Sequence, residues 1–510
     1  MVASADQLAT QAGITVLAMG GNAVDGAIAT NAAIAITGPH LCGMGGDLFA
    51  LVHDGNAVHA LNSSGRAGSG ADPDAMRAEG LTEMPYRHDI RTVTVPGCVD
   101  GWQALHERFA RLPLEQLLAP AIRLAEEGFP ASPLLVGAVA QLDERGRQQL
   151  AELAGQAVRP GARVRRPRAA AVLRSIAAGG RNGFYLGDFG RGLLELGDGF
   201  YHEADLAQSG AEWCTPLSVE AFGHRLHTMP PNSQGYLLLG AAALADSIGV
   251  PADPDDPAWA HLLIEAAKAA GRDRPSVLND RADGLQLLRA IATRHDEIDP
   301  IRAMKLTGRQ RQGDTTYLCT VDHDRMGVSL IQSNAAGFGS WLAEPNTGIN
   351  LHNRGLGFSL EAGHPAELGP RRRPPHTLTP ALATTPDGSL VAVFGTMGGD
   401  AQPQILLQVA ARLFHHGASP AAAIAAPRWV LNGPETGFDT WTGDGGPHVL
   451  VEEHGIEEWR DGLAERGHDV RVEPSFSSEF GHAHAILVGD DGMLSGAADP
   501  RAVVASTAGI

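Results

Sequence analysis

The sequence predicts an α+β protein, with helices dominating its first part and strands opening its second. Two observations carry this. An alanine-rich helical pattern begins near Asp6, and at Thr315 it gives way to runs of β-branched and aromatic residues separated by polar turns. At 510 residues and 44% hydrophobic content the chain can bury a large core, and its length alone suggests about three domains.

The elements follow in order. Asp6 to Met19 reads as a helix ended by Gly20-Gly21, and Asn22 or Asp25 can cap the next one, which runs to about Ile36. Gly43-Met44-Gly45-Gly46-Asp47 is a glycine-rich turn into a strand from Leu48 to His53. Arg111 to Gly128 reads as a helical pair broken near Pro113 and Pro120, and Trp259 to Ala270 as a further helix. Residues 295 to 314 are polar and locally basic, which reads as a mobile tail. Strands are expected over Thr315–Val321 and Gly327–Ser333, joined by a polar turn at His323-Asp324-Arg325. A second hairpin is expected over Ala381–Thr385 and Ser389–Phe394, and a helix from Pro403 to His416 stopped by Gly417.

A formal net charge of -19 disfavours nucleic acid and anionic membrane surfaces as partners. An anionic substrate would have to meet a local arginine cluster. The simpler reading of the charge is solubility. Cys42, Cys98, Cys214 and Cys319 are scattered, so neither a zinc site nor a disulfide framework is indicated. No apolar stretch has the length of a membrane span. The opening residues, Met1 to Asp6, lack a basic region followed by an apolar run. A cytoplasmic protein is therefore the expectation, with a secretory segment trimmed beforehand as the alternative.

The first hairpin has a chemical consequence. If its turn centres on Asp324, then Asp322 faces Met326 and Thr315 faces Ser333, with directly opposed Cβ atoms about 4.5–5.5 Å apart. Two hydroxyls side by side after Gly313-Asp314 suit self-cleavage. The Thr315 hydroxyl attacks the Asp314 carbonyl, and hydrolysis of the resulting ester frees an α-amine beside the nucleophile. A threonine that merely begins a strand is the ordinary alternative. Gly395-Thr396-Met397-Gly398-Gly399-Asp400 lies between a strand end and a helix start, where backbone N–H groups of Gly398 and Gly399 can hold an oxyanion. The alternative is a plain strand-to-helix turn.

These segments resemble the γ-glutamyltransferase family of N-terminal-nucleophile hydrolases. So do Leu8–Gly13, Gly20–Asp25, Pro96-Gly97, Pro120–Phe129, Met229–Pro231 with Ser233 and Gly235, Glu265–Lys268, Asp273-Arg274, Gly313–Thr316 and Ala498–Arg501. The resemblance implies a four-layer αββα sandwich and autocatalytic cleavage between Asp314 and Thr315. It implies a large subunit, 1–314, and a small subunit, 315–510, that stay associated. It also implies Thr315 as nucleophile, Ser333 beside it, Gly398 and Gly399 as oxyanion hole, and Arg66 as the grip on a substrate carboxylate.

The binding pocket departs from the family pattern. Gly357 stands where an acid for the α-ammonium is expected, and Arg354 where glutamine is common. Ala335 takes the place of an asparagine, with Asn334 beside it, and His376-Thr377 replace a serine pair. An ammonium partner is lost and a cation gained. The substrate is therefore expected to lack the α-ammonium or to carry extra negative charge, nearer the acylase and amidohydrolase branch.

The expectation is an autoprocessed hydrolase or acyltransferase for a small carboxylate-bearing amide. Its acyl acceptor is water or an amine, it has no metal or organic cofactor, and a homo-oligomer of the processed unit is compatible with it. The alternatives are a γ-glutamyl transferase or glutathione hydrolase proper, and an unprocessed relative that only binds a small acid. His482 and His484 fall on one face of a strand, but no ligand of suitable spacing joins them. Arg371-Arg372-Arg373 reads as a solvated loop that could edge an anionic pocket.

Overall fold

A computed structural model describes residues 1–305, 314–432, 447–454 and 457–510. Two antiparallel sheets form its middle. The strands before residue 300 that build them are β1 (Val2–Ser4), β2 (Asp47–His53), β3 (Val58–Ser63), β4 (Glu212–Cys214), β5 (Leu217–Ala221) and β6 (His224–Thr228). Those after it are β7 (Asp314–Val321), β8 (Gly327–Ala335), β9 (Ala381–Thr384), β10 (Leu390–Thr396), β11 (Ala483–Val488), β12 (Leu494–Ala497) and β13 (Ser506–Ala508). The first sheet has the order β13-β1-β7-β8-β2-β3-β4 and the second β12-β11-β10-β9-β6-β5. Phe49, Tyr317, Ile331, Leu382, Val393 and Ile486 pack between them.

Helices cover both outer faces. On the first sheet lie α1 (Gln7–Ala18), α2 (Ala23–Thr37), α3 (Cys98–Phe109), α4 (Leu114–Glu127) and α5 (Pro167–Tyr185). On the second lie α6 (Tyr236–Ile248), α7 (Pro257–Gly271), α8 (Gln402–Ala410) and α9 (Glu457–Glu465). The result is the αββα sandwich, each sheet burying one face on helices and the other on its partner. Both sheets contain strands from either side of residue 314, interleaved in the first sheet and adjacent at β9 and β6 in the second, so the first part contributes more strand than its helical pattern suggests.

Local chemistry accounts for the ends. Asp6 caps α1 by accepting from Leu8 N and Ala9 N, and Asn22 and Asp25 together form a capping box on α2. Helix α2 is buried all round, so helices must approach it closely. A Cβ on Gly13 of α1 would stand 2.2 Å from Thr30 Oγ1. No helix among the described residues is long and apolar enough to cross a membrane.

Three expectations change. Pro120 sits inside a single continuous α4, and Pro113 precedes it as the cap. The lost N–H of Pro120 removes one helical bond, but its ring is buried in the core. The helix from Gln402 passes at Ala411–His415 into a wider π-type turn before Gly417 (φ 71°). The tail reading fails for its first part: His295–Glu297 forms a short 3-10 turn, and Ala303 N donates to Arg466 O at 2.8 Å. Residues 306–313 of that reading lie outside the described residues.

Candidate active site

The β7–β8 hairpin supplies the centre. Asp322 Oδ1 accepts from Asp324 N (2.9 Å) and Met326 N (3.1 Å), closing the turn. From there the register runs Gly327 opposite Val321 to Gln332 opposite Thr316. The next pair is Ala335 opposite Asp314, so Ser333 and Asn334 together oppose Thr315 in a β-bulge. Ala335 takes a left-handed conformation there (φ 72°). The bulge leaves the two hydroxyls adjacent: Thr315 Oγ1 donates to Ser333 Oγ at 3.0 Å, and both residues are buried.

Ser333 Oγ also accepts from Ala335 N (2.8 Å) and Arg354 Nη2 (3.1 Å). Arg354 begins the 3-10 turn Arg354–Gly357 and is 2% exposed. Its Nη1 donates to Thr377 Oγ1 at 3.2 Å. Burial lowers its pKa to about 10, with Asp47 and Asp400 opposing that fall, so it stays a cation at neutral pH. Two hydrogen bonds in series thus set a buried guanidinium within about 6 Å of the Thr315 hydroxyl.

Asp47, at the start of β2, is the cross-strand partner of Ser333. Its Oδ1 accepts from Gly65 N (2.8 Å) and Gly97 N (3.2 Å), and its Oδ2 from His376 Nε2 (3.1 Å). Burial alone would raise the Asp47 pKa, but His352, His376 and Arg354 outweigh it and hold it at about 2. Burial, followed by the charge of Arg354, pushes His376 down to about 3. His376 is therefore a neutral N–H donor to a fixed carboxylate, and its Nδ1 accepts from Leu378 N.

The glycine pair ends β10. Gly398 (φ 139°) and Gly399 (φ 54°) lead through the turn Gly399–Ala401 into α8. Both conformations favour glycine. Gln234 Nε2 donates to Gly399 O (3.1 Å) and to Thr377 O (3.0 Å), tying this turn to the residue that holds Arg354. A hydrogen-bonded path therefore runs from Thr315 through Ser333, Arg354, Thr377 and Gln234 to Gly399.

Other residues singled out in the sequence sit elsewhere. Arg66 Nη2 pairs with Glu212 at 2.6 Å and Nη1 donates to Arg371 O at 3.2 Å, both in partly exposed surroundings. It lines a cavity of about 270 Å³ with Ser64, Asp205, Gly210 and Arg371. Asn334 turns to the helical side, donating Nδ2–H to Pro39 O at 2.9 Å. Arg373, read as solvated, is buried and donates to Ser64 O, Gly210 O and Glu212. His482 Nε2 meets Ser478 Oγ at 2.9 Å, and His484 Nδ1 accepts from Asp499 N at 3.1 Å. Among the described residues two clusters have metal-ligating spacing: buried His261, Glu265 and His468, and the Asp322-His323-Asp324 turn.

Sequence reasoning missed Asp47 and Gln234. The available signals were the glycine-rich turn ending at Asp47 and the Ser233–Gly235 motif around Gln234.

Known proteins match this chain along its whole length. A family profile described as Gamma-glutamyltranspeptidase covers residues 9–508. The chain is 36% identical to the oxamate amidohydrolase proenzyme of Klebsiella pneumoniae, over 98% of this chain and 97% of that one. It is 34% identical to the glutathione hydrolase-like YwrD proenzyme of Bacillus subtilis, with the same coverage. Among solved structures, cephalosporin acylase from Bacillus halodurans superposes with a TM-score of 0.88 at 34% identity, covering 98% of this chain and 94% of that one.

Proposed function

Because the chain belongs to the gamma-glutamyltranspeptidase family, we propose that it is an amide hydrolase or acyltransferase that cuts itself before Thr315 and then uses Thr315 as its nucleophile. The carrying observation is the Thr315–Ser333 hydroxyl pair at 3.0 Å with buried Arg354 bonded to it. Relatives named as proenzymes of an amidohydrolase and an acylase support the reaction class.

In self-cleavage Thr315 Oγ forms a bond to the Asp314 carbonyl carbon, the peptide C–N bond breaks and the Oγ proton ends on the Thr315 nitrogen, so the acyl group shifts from N to O. Water then splits the ester. The freed α-amine has an ordinary pKa near ~8 and takes the Oγ proton when Thr315 attacks a substrate amide. The same proton passes to the leaving amine as the C–N bond breaks. In the uncut chain Ser333 accepts the Thr315 O–H and so turns the hydroxyl's lone pairs toward the Asp314 carbonyl; once the α-amine is free, that proton goes to the amine and Ser333 holds Oγ in place. Backbone N–H groups of Gly398 and Gly399 receive the oxyanion, each donor of this kind contributing about 3 kcal/mol. Water, or an amine acceptor, releases the acyl group. The products of self-cleavage, 1–314 and 315–510, stay joined through the shared sheets.

The substrate is a small amide whose acyl part bears a carboxylate. Arg354 is the cation best placed to receive it, and its planar fork suits a carboxylate. Thr377 and His376, through Asp47, hold that guanidinium side of the pocket. Arg66, engaged by Glu212, serves the rim, and Asn334 shapes the bulge. A γ-glutamyl substrate is the second reading, favoured by the similarity to the YwrD protein.

Parallel assays of γ-glutamyl-p-nitroanilide, glutaryl amides and oxamate decide between them. Faster turnover of the γ-glutamyl compound would overturn the first reading. Binding without turnover by an uncut chain would favour a small-acid-binding role.

A further inference from the structure

The Glu265–Lys268 motif has no part in the chemistry above, yet it places an ion pair in the apolar layer outside the second sheet. Glu265 is 0% and Lys268 4% exposed. Lys268 Nζ donates to Glu265 Oε1 (2.9 Å), Met304 O (2.9 Å) and His468 Nδ1 (3.3 Å), using all three ammonium protons. Glu265 Oε2 accepts from Met304 N at 2.8 Å. The peptide groups of one residue, Met304, are thus held at N–H by the acid and at C=O by the base.

The two histidines complete a relay whose proton order is fixed. Asp299 O can only accept, so His261 Nε2–H donates to it (2.8 Å). His261 Nδ1 then accepts from His468 Nε2–H (2.8 Å), and His468 Nδ1 accepts from Lys268. Both rings are neutral, and burial plus the Lys268 charge push His468 down to about 2. The spacing of His261, Glu265 and His468 also suits a cation. Here the Lys268 ammonium already supplies the positive charge, and each ring nitrogen is spent on a protein partner. Replacing a buried ion pair by apolar groups is often neutral or stabilising, so stability is a weak reason to keep one; a role in fixing chain register is better supported.

We propose that Glu265 and Lys268 are positioning residues for self-cleavage: they clamp the Met304 backbone and so anchor the chain ahead of the Asp314–Thr315 bond. This rests on the reading that the chain is cut there. Strand β7 holds the Thr315 side of the bond, and the clamp fixes the other side about ten residues upstream. After cutting, the clamp keeps the new C-terminus attached, through contacts that include His468 and Arg466 from the other fragment.

The test is the double variant Glu265→Leu/Lys268→Met, which removes both charges and leaves neither buried alone. Without the clamp the adjacent Ala303 N–Arg466 O bond is expected to open with Met304, so that the next upstream hold is Asp299 on His261, about fifteen residues from the bond. Loop-closure scaling then lowers the effective concentration of the scissile bond about twofold. Three readouts follow: hydrogen exchange at the Met304 amide, half-time of precursor conversion by intact mass, and kcat/KM per cut molecule.

The clamp predicts fast exchange at Ala303 and Met304, conversion slowed about twofold, and kcat/KM per cut molecule unchanged. Inserting about ten Gly/Ser residues after Lys305 in the native chain doubles the span and is expected to slow conversion about threefold. A double variant that keeps Met304 protected, or that converts at the native rate with Met304 exposed, overturns the proposal. If the native protein is never cut, the function reading fails instead, and exchange at Met304 alone then decides whether the clamp exists.

Discussion

Ser333→Ala removes the one oxygen on which Thr315 Oγ1, Ala335 N and Arg354 Nη2 converge. All three donors belong to buried residues, but the Thr315 hydroxyl can rotate whereas the Ala335 amide and the guanidinium are fixed in direction. Leaving each short of an acceptor costs roughly 1–3 kcal/mol, so the variant loses on the order of 4 kcal/mol. A chain of 510 residues has an unfolding entropy near 1 kcal/mol/K, from about 2.1 cal/mol/K per residue, which sets the fall in Tm at about 4 °C. The larger effect is on chemistry. The Thr315 hydroxyl loses the acceptor that fixes its rotor, and misplacement of a reacting atom by about 1 Å can lower a rate about 100-fold. Self-cleavage, followed by intact mass against time, is expected to slow 10- to 100-fold, roughly, and kcat of the cut enzyme to fall similarly. Ser333→Thr keeps the oxygen and recovers most of both rates. Native rates in Ser333→Ala, with its Tm shift present, would refute the idea that the hydroxyl pair operates as a unit.

Arg354→Gln is expected to raise KM for carboxylate-bearing amides about 10- to 100-fold, the loss of a charged hydrogen bond, whereas Arg66→Gln changes it less than about threefold. Steady-state kinetics in which the two effects are reversed would move the carboxylate to the rim. Gly481→Ala combines φ 73° with a Cβ that would stand 2.3 Å from Met397 O. It should displace the turn that carries Gly398 and lower kcat at least about tenfold in a protein that still folds; an unchanged kcat would separate that turn from the oxyanion.

Acid should destabilise the fold early. Burial pushes His40, His376 and His484 down to about 3, so the unfolded chain takes up their protons first once pH falls below about 6.5. Stability present above that pH is lost by about 2 kcal/mol per ring at pH 5. Asp47, held at about 2, adds its loss only below about 3.8. Denaturant melts at pH 7 and 5 that agree within 1 kcal/mol would contradict this.

The β7–β8 hairpin was legible because a polar turn and alternating runs fix its register, and the pairing from Gly327 to Gln332 follows that register. The bulge after Gln332 was not legible. It depends on the left-handed conformation of Ala335 and on Asn353 Oδ1 accepting from Ala336 N, a contact set by tertiary structure. Asp47 escaped for a related reason, since it meets Ser333 only across strands more than 280 residues apart in sequence. Pro120 misled because proline weakens an isolated helix, whereas here packing of α4 against the core outweighs one missing bond. Arg66 and Arg373 look alike in sequence, and only the fold tells the partly exposed one from the buried one.

The whole scheme depends on Thr315 becoming a chain end, and intact mass spectrometry of the purified, active protein tests that most directly. The predicted result is two fragments, one ending at Asp314 and one whose first residue is Thr315, with a single uncut species in Thr315→Ala. Amide turnover by a protein whose Asp314–Thr315 bond is intact would contradict the account.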